Sequence, residues 1–413
     1  MGANAQTTVQ KFLSGAVLTA EQQNTSAATG VPVFATTVTR DAAFGGANKV
    51  LAEGQTCYLE DANVVQYYDG AAWATVGPAA GGNLIINGNM EIAQRGTAAV
   101  TTSGGYGPCD RWINLAAGDT FSTTQVAFAS GDALYNPTTG NTAAQFFSQV
   151  VVTSVANAAN YYILSQRAEN VRLMAGKTVT VSFWARATSG TPLIGVEFAQ
   201  SFGTGGSPSA DVNGTGQAVT LSTTWTKYTQ QHTLGSLSGI TLGTTANTSF
   251  SRVNFWLDAG SNFNTRSGSI GQATKTVSIA QVQVELGSTA TSFAQEATGV
   301  TLARCQRYYA KTFPFATAPA QNTASELGAI FGGPSVTDVS FITTWVFPVR
   351  MRVAPTLTTF SPNAASSNWS NQSGKIPTVV GLGVGDSAVS LRGTTATSPG
   401  GAHSIHATAV AEL

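Results

Sequence analysis

Two tryptophans lie in segments whose side chains alternate between apolar and polar, as in a strand with one buried face. In segment 178–186, the polar face carries Thr180, Ser182, Trp184 and Arg186. In segment 251–258, it carries Asn254, Trp256 and Asp258. An indole ring beside hydrogen-bonding groups suits a sugar ring, which has apolar faces and a rim of hydroxyls. The candidate glycan-binding residues are therefore Trp184, Arg186, Asn254, Trp256 and Asp258, although such tryptophans also pack under loops or against a neighbouring subunit.

Few residues of the sequence are suited to catalysis near neutral pH. Of the three histidines, His232 stands alone. His403 and His406 are three residues apart, which in a strand places them on opposite faces, a poor geometry for a shared metal. The sequence has no GxSxG, HExxH or Walker pattern, and its glutamates are scattered rather than paired as a glycosidase requires. We therefore expect no enzymatic activity.

The composition favours strands and argues against two classes of partner. Only 10% of the 413 residues are charged, against about 25% in typical soluble proteins. A chain poor in Glu, Lys and Arg but rich in Thr, Val and Gly is typical of β structure. The formal net charge is zero, and no basic block predicts binding to nucleic acid. No apolar run approaches the roughly 18 residues that cross a bilayer, so no membrane insertion is expected.

The cysteines and the first residues indicate the cellular compartment in which the protein folds. Cys57, Cys109 and Cys305 are odd in number and far apart, which fits neither a disulfide framework nor a zinc site. We expect buried, reduced thiols and folding in a reducing cytoplasm. The start, MGANAQTTVQKF, does not resemble a secretory signal, so export by the Sec route is not expected.

Strand and turn signals divide the chain into five parts. Residues 1–30 form a polar arm, and residues 31–82 a small β-meander and linker with a hairpin turn at Asp69 and Gly70, because Gly readily supplies the positive φ of a type I′ turn. Strand candidates separated by turn clusters over residues 83–297 predict an antiparallel β-sandwich. Residues 298–311 are a helical or extended connector, and residues 312–413 a C-terminal β domain. The predicted fold class is mainly β, with a jelly-roll-like sandwich as the central domain.

Several blocks, in this order, resemble segments of tailed-phage tail fibre and appendage proteins. Residues 39–77, TRDAAFGGANKVLAEGQTCYLEDANVVQYYDGAAWATVG, resemble a segment near the front of such proteins. The blocks NLIINGNMEIAQRGT, CDRW, GKTVTVSFWARA and QVELGSTATSFAQE resemble carbohydrate-binding-module-like sandwiches of the same class. The blocks LARCQRYYAKTF and FPVRMRVAPTLT complete the usual order. The resemblance covers roughly residues 35–360 and is more specific for the class than for the ligand.

The resemblance implies a homotrimeric virion protein assembled in the host cytoplasm. Residues 1–30 would then be a virion-attachment arm that contacts other tail or baseplate proteins. Sandwiches of this kind often hold a structural calcium ion, for which Asn89, Glu91 and Glu285 lie in suitable segments. The connector carries Arg304, Arg307, Tyr308 and Tyr309. The sequence leaves open whether these residues form an interface between subunits of the trimer or pack between domains of one chain.

Three functional hypotheses follow from these observations. The first is attachment to the host surface, in which several weak sites for cell-surface polysaccharide combine into useful avidity. The alternative is a purely structural head-decoration, collar or baseplate component without a host ligand. A polysaccharide-degrading enzyme ranks last. Glycan binding by the isolated protein separates the first hypothesis from the second.

Overall fold

The computed structural model describes residues 31–44, 51–61, 64–76, 82–132, 134–135, 144–315, 317–332, 340–370, 378–394 and 403–413. The chain divides into two compact units, Met1–Gly82 and Asn83–Leu413. Within the described residues, no helix is both long and apolar enough to span a membrane. The predicted arm at residues 1–30 lies outside the described residues.

The first unit contains one helix and a four-stranded sheet. Its elements are β1 (Val33–Phe34), α1 (Thr37–Phe44), β2 (Thr56–Leu59), β3 (Val64–Tyr68) and β4 (Trp73–Val76). The strands lie in sequence order, with β1 parallel to β2 and the other pairs antiparallel. A hairpin joins β3 to β4 as predicted, but its connection is the four residues 69–72 and not a type I′ turn, because only Gly70, at φ +96°, has positive φ. Asp69 Oδ1 accepts from the amides of Ala71 and Ala72. Helix α1 was not predicted; the side chain of Thr36 accepts from the amide of Thr39 at its start.

The second unit begins with the predicted antiparallel sandwich. Its strands are β5 (Ile113–Ala117), β6 (Thr120–Ala127), β7 (Phe146–Thr153), β8 (Tyr161–Glu169), β9 (Thr178–Ala187), β10 (Leu193–Ser201), β11 (Val212–Asn213), β12 (Gln217–Thr220), β13 (Thr226–Thr233), β14 (Phe250–Ala259) and β15 (Lys275–Leu286). Sheet I has the order β13-β9-β15-β7-β6. Sheet II has the order β11-β10-β14-β8-β5, with β12 also pairing with β10. The predicted fold class, mainly β with an antiparallel sandwich, is confirmed.

Alternation along the strands places the core between the two sheets. Val179, Val181 and Phe183 of β9 are fully buried there, as are Phe255 and Leu257 of β14. These are the apolar positions that the sequence pattern predicts. The side chains between them in sequence therefore project from the outer face of each sheet.

The C-terminal part contains a helix and two further sheets. Its elements are α2 (Thr298–Gln306), β16 (Tyr309–Lys311), β17 (Ile330–Gly332), β18 (Ser340–Val346), β19 (Thr356–Phe360), β20 (Thr378–Val384), β21 (Ala388–Thr394) and β22 (His403–Val410). Strand β22 pairs with β16, β17 and β19, and β21 lies between β18 and β20. Its core includes Trp369, Met351 and Ile405. The boundaries predicted for these parts within the second unit stay predictions.

The connector packs this C-terminal part against the sandwich. Arg307 Nη2 and the Tyr308 hydroxyl both donate to Glu169 at the end of β8, over 3.0 and 2.9 Å. The guanidinium of Arg111 lies 3.5 Å from the centre of the Tyr308 ring, and Tyr309 is also buried, 4% exposed. Of the two readings of the connector, these contacts correspond to packing between domains of one chain.

Candidate functional site

A row of four polar side chains crosses the outer face of sheet I. Arg186 on β9 pairs with Ser278 on β15, Ser278 with Gln149 on β7, and Gln149 with Thr124 on β6. Their sequence neighbours point into the core, so these four point away from it. The row spans three strand spacings of about 4.8 Å, or roughly 14 Å in all.

Aromatic side chains border one end of this row. Trp184 lies two residues before Arg186 on the same face of β9, and both side chains are partly exposed. The Arg186 guanidinium lies 5.0 Å from the ring centre of Trp225 and 5.8 Å from that of Phe147. Trp225 and Phe147 are themselves buried and 5.3 Å apart. They belong to a buried cluster with Phe128, Leu134 and Ala144, and Trp184 packs against this cluster.

The polar row has unused capacity for hydrogen bonds. Among the described residues, none makes a hydrogen bond to the side chain of Thr124, Gln149, Arg186 or Ser278. A guanidinium offers five donors, an amide offers donors and acceptors, and each hydroxyl offers both. We call this surface the open face and define it by Thr124, Gln149, Trp184 and Arg186, which are partly exposed. Ser278, between Arg186 and Gln149, is only 2% exposed.

The other half of the same sheet surface is covered by residues 287–295. Thr291 carries much of this contact: its hydroxyl donates to Glu285 Oε1 over 2.5 Å, and its carbonyl accepts from Lys227 Nζ over 3.1 Å. Gln283 also donates to the Thr291 hydroxyl and to the carbonyl of Ser292. The polar groups on this half are therefore bonded to the chain itself.

Sheet II carries a similar set of side chains on its outer face, but in a closed arrangement. The carboxylate of Glu197, which is fully buried, accepts from Asn254 Nδ2 over 3.0 Å and from Trp256 Nε1 over 2.8 Å. It also accepts from Arg266 Nε over 2.8 Å and from Nη2 over 3.1 Å. Asp258 is also fully buried, but it pairs with Tyr162 and faces the other sheet, where it accepts from Ser154 Oγ and from the amide of Ala273.

A segment from the loop after β14 produces this closure. It contains a 3₁₀ turn, Ser261–Phe263, followed by a helix of a single turn, Asn264–Ser267. Phe263 packs 5.4 Å from Trp256, between ring centres. A Cβ at Gly195 of β10 would lie 2.0 Å from the carbonyl oxygen of Ser267, so this glycine permits the close approach. We call this surface the closed face.

The structure separates the five predicted glycan-binding residues. Trp184 and Arg186 lie together on the open face of sheet I. Asn254 and Trp256 lie on the outer face of sheet II. The register shift after Trp256 pairs Asp258 with the core residue Tyr162, so Asp258 faces inward, contrary to the alternation predicted from the sequence. All three side chains are at most 1% exposed. The expectation that both tryptophans offer similar platforms therefore needs correction, because the alternation of a strand shows which face a residue is on but not whether another segment covers that face.

Asp258 also has an acidic neighbour. Burial, together with the interaction with Asp258, raises the pKa of Asp119 to about 6, and the hydrogen bond from the amide of Val155 opposes that rise. Burial is the largest cause, because the charged carboxylate loses its hydration, and the neighbouring carboxyl group of Asp258 adds to the effect. This pair lies at one end of the sandwich, where Asp258 accepts hydrogen bonds from residues that follow β7 and precede β15.

The predicted calcium ligands do not come together as a calcium site. Asn89 and Glu91 border a small cavity of about 20 Å³ that Glu285 does not line, although the Arg304 cation does. Glu91 accepts hydrogen bonds from Asn89 Nδ2 and the Thr298 hydroxyl, while Glu285 is bonded to Thr291. The described residues contain no group of three His, Cys, Asp or Glu side chains placed to hold a metal. These donor-bonded carboxylates do not fit calcium coordination.

The two C-terminal histidines are packing residues. His406 stacks on Phe313 with ring centres 4.0 Å apart, and its Nδ1 lies 3.0 Å from the Thr312 hydroxyl. His403 stacks on Phe341 at 5.4 Å. The three cysteines are free and buried, as the sequence predicts.

Sequence reasoning missed most of the open face. Thr124, Gln149 and Ser278 were not singled out, although the alternation in FFSQVVVT and KTVSIAQV places Gln149 and Ser278 on outer faces. Trp225 was also missed, since it lies in the turn before β13. Only the register between β6, β7, β15 and β9 shows that these residues are neighbours.

No protein-family model and no curated protein matches the sequence. Among solved structures, the chain is similar to the family 11 carbohydrate-binding module from Clostridium thermocellum in complex with a β-1,3-1,4-mixed-linked tetrasaccharide, at 12% identity and TM-score 0.26, covering 48% of this chain and 98% of that chain. The xylan-binding domain CBM22-2 of Paenibacillus barcinonensis Xyn10C is similar at 16% identity and TM-score 0.26, covering 45% and 94%. The enzymatically active domain of bacteriophage CBA120 tailspike protein 4 is similar at 12% identity and TM-score 0.26, covering 45% of this chain but only 21% of that chain. At these values the likenesses carry no conclusion about function.

Proposed function

We propose that this chain is a structural protein of a tailed-phage particle, of the tail fibre or appendage kind, which attaches to host-surface polysaccharide through the open face of its sandwich. The observation that carries the glycan-binding proposal is the row of polar side chains beside Trp184, on the outer face of sheet I, to which none of the described residues makes a hydrogen bond. The ordered sequence blocks between roughly residues 35 and 360 support the phage assignment.

The open face offers the two kinds of contact that a saccharide uses. The indole of Trp184 provides an apolar surface for the face of a sugar ring. Arg186 and Gln149 provide donors, and Gln149 and Thr124 provide acceptors, for sugar hydroxyl groups over roughly 14 Å of the sheet surface. Because the underlying Trp225 and Phe147 are packed against each other, little side-chain ordering is needed on binding.

We propose binding without catalysis at this surface. None of the residues that define the open face carries a carboxyl group, so they do not supply the pair of carboxyl groups that glycoside hydrolysis commonly requires. The proposed site of residence is the virion, after assembly in the host cytoplasm.

A homotrimer is part of the proposal. Large apolar side chains are exposed on the C-terminal part, notably Ile342 and Val346 of β18, at 62% and 69%. Exposed apolar side chains grouped on one strand favour an interface with another chain. Three copies of one weak glycan site would also raise the avidity for a repetitive polysaccharide.

The test is binding of the full chain to immobilised lipopolysaccharides and capsular polysaccharides from candidate host bacteria. We expect saturable binding to at least one of them, weakened at least tenfold, or about 1.4 kcal/mol, by Trp184→Ala. Trp184→Phe keeps a flat ring and should bind within a few-fold of the original chain. Phe315→Ala, which removes an exposed aromatic ring outside the open face and outside β18, is the control and should bind normally.

Light scattering on the same samples tests the assembly, with a mass of three 42.4 kDa chains expected. Binding that Trp184→Ala leaves unchanged would overturn the assignment of the open face. A trimer that binds none of the polysaccharides would favour the alternative function, a head-decoration, collar or baseplate component without a host ligand.

A further inference from the structure

A second cleft opens at one side of the sandwich, where the edge strands of the two sheets meet. It lies between β10, the β11–β12 segment and β13, and its volume is about 320 Å³. Small-molecule sites usually measure about 300–1,000 Å³, so this cleft is large enough for a small ligand. None of its lining residues belongs to the open face.

His232 lines this cleft with an unsatisfied ring nitrogen. It pairs with Val179 of β9 and so points between the sheets, where its ring lies 5.1 Å from that of Phe198. The side chain is only 8% exposed, and among the described residues its Nε2 has no hydrogen-bond partner. A buried polar atom in this state is stabilised by any ligand group that can bond to it.

The imidazole of His232 is uncharged at neutral pH. Burial lowers its pKa to about 4, since the charged form is poorly solvated there. A neutral imidazole offers one donor and one acceptor. It therefore matches a hydroxyl group, which can serve as either partner.

The rest of the cleft is polar but carries no charge. No Asp, Glu, Lys or Arg is among the residues that line it. Gln200 and Gln217 use their amide nitrogens to bond the carbonyls of Gly235 and Gln231, over 3.1 and 2.7 Å. Their amide oxygens receive no hydrogen bond from the described residues and remain acceptors for hydroxyl groups. Phe198 supplies the apolar part of the wall.

We propose that this cleft binds a small, uncharged, polyhydroxylated ligand, namely a single residue of a neutral sugar. A charged sugar would lose its hydration without meeting an opposite charge. The site is separate from the open face, and the proposal stands whether or not the open face binds glycans.

The test uses the full chain labelled with ¹⁵N at histidine, titrated with the methyl glycosides of glucose, galactose, mannose and N-acetylglucosamine. Methyl glucuronoside is the charged comparison. We expect at least one neutral glycoside to bind with a Kd of about 1 mM or tighter and to shift the ring resonances of His232. The other two histidines are internal controls, since both pack in the C-terminal part of the chain, and their resonances should not move.

A substitution that fills the cleft with a large side chain completes the test. Thr215→Trp, at an exposed residue of the lining, should weaken binding at least tenfold without a change in fold. Thr229→Trp makes the same change at an exposed position of β13 on the outer side of sheet I and should have no effect. Absence of any saturable His232 shift, a preference for the glucuronoside, or equal binding by the Thr215→Trp variant would overturn the proposal. Trp184→Ala should leave monosaccharide binding in the cleft unchanged. The test of the cleft is therefore independent of the test of the open face.

Discussion

The two outer faces of the sandwich carry similar side chains in opposite states. On the open face, Trp184 and Arg186 are partly exposed beside polar groups that make no side-chain hydrogen bonds within the described residues. On the closed face, Trp256 and Arg266 both donate to the buried carboxylate of Glu197. Similar residue types therefore occur on both faces. What separates them is whether a buried countercharge and a covering segment already use the hydrogen bonds.

The covering segment explains why the closed face holds a carboxylate. Glu197 receives four hydrogen bonds, one each from Asn254 and Trp256 and two from Arg266. A buried carboxylate is tolerated only when such donors replace its hydration. The open face has no carboxylate among its defining residues, and no described residue forms an ion pair with Arg186 as Glu197 does with Arg266.

The sharpest test of this difference is the loss of each tryptophan. Trp256→Ala should lower the free energy of unfolding by about 3–5 kcal/mol, the usual result when a buried aromatic side chain leaves a cavity. Trp184→Ala should lower it by about 1 kcal/mol, because that ring is partly exposed. Urea unfolding followed by circular dichroism measures both. Equal losses for the two variants would contradict the distinction between a closed and an open face.

A second test removes the countercharge from the closed face. Glu197→Gln keeps one acceptor but leaves the Arg266 cation without its carboxylate. Breaking a fully buried pair costs about 3–5 kcal/mol. Here we expect about 2 kcal/mol, because the Arg266 side chain is 25% exposed and solvent partly screens it.

The control for this variant is Asp211→Asn, which changes an exposed carboxylate. It should leave unfolding in urea within about 0.5 kcal/mol of the original chain. Glu197→Gln should also bind polysaccharide as the original chain does. A loss of binding with normal stability would mean that the closed face, not the open one, contacts the ligand.

The difference between the faces marks the limit of sequence reasoning. Alternation correctly places Val179, Val181 and Phe183 in the core and Trp184 and Trp256 outside it, because the two-residue period is a local property of strands. The hairpin at Asp69 and Gly70 is local in the same way. The cover over Trp256 comes from a turn after β14, and its fit depends on the missing side chain of Gly195 in another strand. The row on the open face likewise depends on strand pairing between residues far apart in sequence.

The acidic pair of Asp119 and Asp258, at one end of the sandwich, makes the stability of the fold depend on pH. The pKa of Asp119 is raised to about 6 in the folded chain, above the value of about 3.9 in an unfolded chain. Its protonation therefore contributes stability that is fully present below about pH 4 and is lost as the pH rises through 6. Asp119→Asn has no titrating carboxyl group, so it does not lose this stability as the pH rises. Its amide oxygen can still accept the hydrogen bond from the amide of Val155.

We therefore expect the Tm of Asp119→Asn minus that of the original chain to be about 2 °C larger at pH 8 than at pH 4. Differential scanning calorimetry at both pH values measures this difference. A constant difference between the two proteins would show that Asp119 does not titrate in this range. Trp184→Ala, on the open face, should show no such dependence on pH.

The smallest effect on stability is expected for the arginine of the open face. Arg186 lies over Trp225 at 5.0 Å but forms no ion pair with a described residue. A partly exposed contact of this kind is worth about 0.5–1 kcal/mol, so Arg186→Gln should unfold in urea within about 1 kcal/mol of the original chain. The same variant should weaken polysaccharide binding, because the donors beside Trp184 are reduced. If Arg186→Gln proves as destabilising as Glu197→Gln, then Arg186 serves the fold as Arg266 does, and the open face is a structural surface.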